Sequence, residues 1–324
     1  MEKDYQYDLT LEQIGRREVV FTKGLGQVNI HDPNQPREFG AVLTQLFPAL
    51  KYAGMMNYGE GSKWDDRKYR LNQPDLNFVF DGRETKVLLP MSEGMNSLID
   101  SVAGQSSVEQ KIVVPIGLTY FGASAVDIHR SDEVNQTLKI MGREMHDDSW
   151  AFFSRAIGAA FVPVTKDGSI FLGKRTNTNL YLGYLNAAAG GVDYAGSPSL
   201  EHFQAQAVKE LKEEYGQRLE LIEAPRFVGI ASHPLKGDAD AVWVGRIDAP
   251  AEYFISGRWR EERKDAEHVP ELVQLATMFD INKLLQEGCV EQKDFTVVTK
   301  RFLGIMYSTR LGLESLTGDD FRKE

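Results

Sequence analysis

The chain holds one cysteine, Cys289, in 324 residues. A single thiol excludes an intramolecular disulfide and a zinc site built from cysteines, and it fits a reducing compartment. Positive charge is also scarce: 37 Lys and Arg against 47 Asp and Glu give a formal net charge of -10. A dedicated nucleic-acid binder needs clustered cations to neutralise phosphates, so that class is set aside, although a local basic pocket is not. No apolar run approaches the length of a membrane span, and the opening Met1-Glu-Lys-Asp-Tyr-Gln has no apolar core of the signal-peptide kind. The expectation is a cytoplasmic protein without membrane contact. Apolar material is present in quantity, at 42% of residues, enough for two domains with their own cores.

The most informative stretch is Lys209-Glu-Leu-Lys-Glu-Glu-Tyr-Gly216. At about 100° per residue, a helix crowds Glu210, Glu213 and Glu214 into roughly a quarter of its circumference. Like charges one turn apart repel by a few tenths of a kcal/mol per pair, and by more where water is partly excluded. A hard divalent cation such as Mg²⁺ offsets that repulsion and prefers carboxylate oxygens; the bland counterpart is an acidic, solvated helix face. The flanking residues favour the cation. Phe203, Ala207, Leu211 and Tyr215 recur every four positions as a core-facing stripe, with the carboxylates on its edge and Glu214 nearest to it. Ser197 before Pro198 is the expected N-cap and first-turn pair, and Gly216 the expected stop.

Glu201, seven intervening residues and the run from Lys209 to Gly216 resemble the signature of the Nudix hydrolases. That signature is a Gly, five residues, a Glu, seven residues, then Arg-Glu, an apolar residue, any residue, Glu-Glu, any residue, Gly and an apolar residue. The helical half is in register here. Lys209 replaces the Arg, Gln217 replaces the final apolar residue, and the spacing from Gly191 to Glu201 is four residues longer than the family's. Ala195 holds the strict glycine position, with Gly196 after it. Residues 160–164, the turn Lys166-Asp167-Gly168 and residues 170–175 read as a β-hairpin, and 226–231 and 241–247 read as strands. The resemblance covers roughly residues 155–290.

What the resemblance implies is a Nudix α/β/α sandwich with a mixed sheet over residues 151–324, closed by a helical tail and preceded by a mixed α/β domain over 1–150. It implies a divalent-metal-dependent pyrophosphohydrolase of a nucleoside diphosphate linked to another moiety. Mg²⁺ or Mn²⁺ would be held by Glu210, Glu213, Glu214 and a backbone carbonyl at Gly191. Glu201 and Lys209 match the pair that braces the helix through a salt bridge, although lysine lacks the bidentate fork of arginine. The catalytic base would come from the signature helix, as Glu213 or Glu214, or from a later acidic residue. Among Glu261, Glu262, Asp265 and Glu267, the stronger candidates are Glu262 and Glu267, against the plain reading of a charged loop. Arg175, at the end of a strand, is a candidate contact for substrate phosphate. The implied partner is a small nucleotide diphosphate, with nucleic acid admitted only as a capped RNA end and a homodimer left open. The alternative is a non-catalytic Nudix-fold module that binds a nucleotide or a protein, since one fold hosts many functions. An isoprenoid diphosphate isomerase, which shares the fold, is set aside because Cys289 lies far beyond the region where its catalytic cysteine would stand.

The first 150 residues carry no signature. A helix is expected over 37–47, and strands over 18–21, 76–80, 85–89 and 111–120. Gly24-Leu25-Gly26 reads as a turn, lacking the third glycine of a dinucleotide fingerprint, while His31 and His146-Asp147-Asp148 read as surface and capping residues. A helix over 131–157, packing Met141, Met145, Trp150 and Phe153, is expected to connect the halves. Phe302, Leu303, Met306, Leu311 and Leu313 suggest a closing helix.

Overall fold

The computed structural model describes residues 6–15, 17–24, 67–80, 83–89, 109–120, 124, 127–128, 130–175, 183–263, 271–275, 277–287, 289–294, 297–302 and 305–317. The expected helix over 37–47 lies outside them, as do Gly26, His31, Asp265 and Glu267.

In chain order, β1 (Gln6–Thr10), the one-turn helix α1 (Leu11–Ile14) and β2 (Glu18–Lys23) come first. They are followed by β3 (Arg67–Leu71), β4 (Asp75–Phe80), β5 (Arg83–Leu88), the long β6 (Glu109–Tyr120) and α2 (Asp132–His146). Next are β7 (Ile157–Thr165), β8 (Ile170–Lys174), β9 (Leu185–Asn186), β10 (Ala188–Gly191), α3 (Leu200–Tyr215), β11 (Arg226–Ser232) and β12 (Ala239–Ile247). Two short helices, α4 (Ala251–Ile255) and α5 (Trp259–Glu262), precede β13 (Glu271–Leu275) and α6 (Met278–Glu287). The hairpin of β14 (Cys289–Asp294) and β15 (Val297–Phe302) leads to α7 (Tyr307–Leu316). Among the described residues, no helix is long and apolar enough to cross a membrane.

The fold is mixed α/β. A large mixed sheet runs β1-β11-β12-β7-β8-β13, with β10 also paired to β7 and β9 to β8. Among the described residues, its one parallel ladder joins β12 to β7. Every residue of β7 is buried, as expected of a central strand covered on both faces. Alternation sends Ala159 and Phe161 into the core shared with α3, and Ala160 and Val162 into the core shared with α6 and α7. The sheet is thus sandwiched between helices. A second sheet, β2-β6-β4-β5 with β3 also on β6, meets α3 through Phe203, whose ring lies 5.0 Å from Phe21 and 5.1 Å from Tyr69. Residues 6–10, from the N-terminal half, form the edge strand of the large sheet, antiparallel to β11.

Three local expectations change. The helix over 131–157 ends at His146, where Asp147 caps it in the left-handed conformation. Trp150, Ala151, Phe152 and Phe153 are all buried, and four consecutive residues cannot share one face of a helix. The N-cap of α3 is Ser199 instead of Ser197: its hydroxyl accepts from the His202 amide. In the tail, Phe302 ends a strand, and the closing helix spans Tyr307–Leu316, with Leu311 and Leu313 buried.

Candidate functional site

Helix α3 positions the three carboxylates. Its stripe of Phe203, Ala207, Leu211 and Tyr215 is fully buried, each large side chain contributing roughly 1.5–3 kcal/mol of apolar burial. Tyr215 fixes the C-terminal end: its hydroxyl accepts from the Gly173 amide at 3.0 Å and lies 3.4 Å from the Asn186 carbonyl. Gly216 then terminates the helix, as its sequence position predicts. This orientation turns Glu214 inward, to 7% exposure, and leaves Glu210 and Glu213 partly buried at the margin.

Glu210 sits against the end of β10. A Cβ at Gly190 would overlap the Glu210 carboxylate, whose two oxygens lie 2.5 Å from where it would be. Only glycine permits so close an approach of backbone and carboxylate. Gln206 Nε2 donates to Glu210 Oε1 at 2.6 Å. Burial pushes the Glu210 carboxyl above the usual range, and the charges of Glu213 and Asp193 add to that, against the pull of Gln206 and Lys209. Glu213 Oε2 lies 4.0 Å from Lys209 Nζ.

The expected brace between Glu201 and Lys209 is absent. Lys209 turns to Glu213 on its own helix, and Glu201 is exposed in the first turn. Eight residues of one helix separate such a pair by about 12 Å along the axis and about 80° around it, beyond a direct bridge. Glu262 also has another occupation: Tyr253 donates to it at 3.0 Å, Arg218 lies 3.7 Å from it, and its carbonyl accepts from the Gln217 amide. It locks the turn after α3 and is not among the residues lining the cavity described next.

On the other side of β10, facing α7, lies a cavity of about 210 Å³. Arg175, Gly190 and Gly191 line it, so three residues or neighbours singled out by the sequence meet there. The glycines form the last two residues of a strand instead of a free turn. Gly190 separates the two features, since Glu210 abuts one face of it and the cavity the other.

Four further lining residues carried no local signature: Lys68, Asp238, Asp240 and Tyr307. Tyr307 donates to Asp238 at 2.7 Å. A Cβ at Gly158, the neighbour of Asp240 across the parallel ladder, would fall 2.5 Å from Asp240 Oδ1. Burial pushes the Asp240 carboxyl up to about 7; Asp238 adds to this, while Ser308 and Arg175 pull it down. The only available hint was the pattern Asp238-Ala-Asp240 leading into an apolar strand, where aspartate is disfavoured.

A divalent ion can be tested against these residues. In kind they fit, being three carboxylates on one helix face beside a glycine backbone. Among the described residues, however, no three His, Cys, Asp or Glu side chains converge as a ready cage. Gln206 donates to Glu210, and the half-exposed Lys209 ammonium lies 4.0 Å from Glu213.

No family model matches the chain, and no curated protein is significantly similar to it. Among solved structures it is similar to several at low identity. One is Tm1382, named as a putative Nudix hydrolase, at 15% identity over 50% of this chain and 69% of that one, with a TM-score of 0.31. Another is the MutT protein from Methanosarcina mazei Go1, at 16% identity over 52% of this chain and 95% of that one, with a TM-score of 0.31.

Proposed function

We propose that the chain is a divalent-metal-dependent, Nudix-type hydrolase of a nucleoside diphosphate linked to another moiety, acting in the cytoplasm. The observation that carries this reading is the seating of the Glu210 carboxylate on Gly190, which itself lines the cavity together with Gly191 and Arg175. Glu210, Glu213 and Glu214, with the Gly191 carbonyl, would hold Mg²⁺ or Mn²⁺. Such an ion supplies charge neutralisation on phosphate and a more acidic water. The chain's own residues bind and orient: Arg175 offers a planar, permanently charged fork to a phosphate, and the buried margin of α3 limits water around the carboxylates.

The reading is tested by assaying the purified chain with Mg²⁺ or Mn²⁺ against nucleotide sugars, dinucleoside polyphosphates, ADP-ribose, NADH, coenzyme A and capped RNA. Glu213→Gln and Glu214→Gln are each expected to lower kcat/KM by about 100-fold or more while the protein stays folded. Full activity in both variants would reject the site. A second reading, a non-catalytic nucleotide-binding module, is favoured by one observation: the Glu210 carboxylate assigned to the metal has a hydrogen-bond partner, Gln206, on its own helix. An inactive parent that still binds ADP moves the weight there.

A further inference from the structure

We propose that Lys68, from the N-terminal half, is a phosphate-binding residue of the cavity, so that the N-terminal sheet completes the site; this rests on the diphosphate reading above.

Strand β3 is stitched to the segments around the cavity by backbone contacts and one tyrosine hydroxyl. Lys68 bridges to Asp193 and Arg70 to Ala156, the Leu71 amide donates to the Arg155 carbonyl at 2.9 Å, and the Tyr69 hydroxyl accepts from the Ala195 amide at 3.1 Å. Lys68 therefore leaves a fixed backbone. Its side chain is 15% exposed, and Nζ lies 3.7 Å from where a Cβ of Gly191 would stand, at the cavity wall.

A half-buried ammonium is favoured by a counter-charge. Its partner is Asp193, whose Oδ1 accepts from Nζ at 2.6 Å, but the Asp193 side chain is 73% exposed. Pairs with so exposed a carboxylate contribute little, typically ~0–1 kcal/mol, so exchanging it for a substrate phosphate costs little and gains a stronger charge-assisted bond. Arg175 supplies a second cation to the same cavity, beside the raised carboxyl of Asp240, and Asp238 adds a further carboxyl to the lining. Phosphate belongs beside Lys68 and Gly191, and hydroxyl or amine donors belong beside Asp238 and Asp240.

The test is calorimetric titration of the full chain, without metal, by ADP, inorganic pyrophosphate and adenosine. Lys68→Met is expected to weaken ADP and pyrophosphate binding about tenfold and leave adenosine binding unchanged, with Lys68→Arg retaining affinity within about threefold. Asp193→Asn separates contact from bracing: if Lys68 touches phosphate, this variant binds ADP at least as tightly as the parent. Unchanged ADP binding in Lys68→Met, equal weakening in Asp193→Asn, or a parent that binds neither ADP nor pyrophosphate overturns the proposal. ADP binding that depends on Lys68 in a chain without hydrolytic activity sustains it while the hydrolase reading fails.

Discussion

At the scale of single residues, Asp240 is the group most displaced from its aqueous behaviour within the cavity. Burial raises its carboxyl from 3.8 to about 7, with Asp238 adding repulsion. The folded state then holds a proton that the unfolded state releases. Stability from this group is present below the unfolded value and is lost as pH climbs from about 4 to about 7. A shift of about three units corresponds to at most ~4 kcal/mol, and partial exposure reduces that to roughly 1–3 kcal/mol. Asp240→Asn, which cannot ionise, is expected to be more stable than the parent at pH 8 by that amount and nearly equal to it at pH 4. Urea unfolding at both values measures it; the same decline with pH in both proteins would show that Asp240 is not the group responsible.

At the scale of elements, the approach of α3 to β10 sets the site. The atoms that a Gly190 side chain would meet are the far end of the Glu210 side chain, which can swing away, and not a rigid wall. Gly190→Ala should thus change stability by less than about 1 kcal/mol, within the range of mild substitutions, while displacing the Glu210 carboxylate. Metal affinity, measured by Mn²⁺ titration, is expected to fall about tenfold or more; unchanged affinity with unchanged stability would remove Glu210 from the ligand set. What the sequence displays of this arrangement follows from distance along the chain. The carboxylates share one helix face and the hairpin around Asp167-Gly168 shows its turn residues, so both are legible from local spacing. The Ser199 cap is two residues from its expected place because Ser197 and Ser199 are equally good caps in isolation, and the hydrogen bond to His202 decides. Lys68, Asp238, Asp240 and Tyr307 gather only when three separate segments meet, and no local period records that meeting.

At the scale of the whole molecule, the two halves are joined by buried charge as well as by strand pairing. Asp8 on β1 and Arg155, just before β7, are 0% and 1% exposed and meet at 2.7 Å. Beside them Arg70 of β3 donates to the Trp150 and Phe153 carbonyls, and burial lowers its guanidinium to about 10. Asp127 accepts from both the amide and the hydroxyl of Ser154 at 2.6 Å. Residues 148–155 are thereby gripped by three segments of the N-terminal half, which explains how an edge strand with so plain a sequence as Gln6–Thr10 finds its place. Such an ion pair is weak evidence of net stabilisation, because desolvating both charges offsets their attraction; stranding one charge is what costs most. Asp8→Ala is therefore expected to destabilise the protein by about 3–5 kcal/mol, and Asp8→Leu combined with Arg155→Met to recover most of that loss. Guanidinium unfolding followed by both far-UV circular dichroism and tryptophan fluorescence checks the point. Coincident transitions in the parent that separate in Asp8→Ala would show that this pair couples the halves, whereas a loss below about 1 kcal/mol would assign the coupling to strand pairing alone.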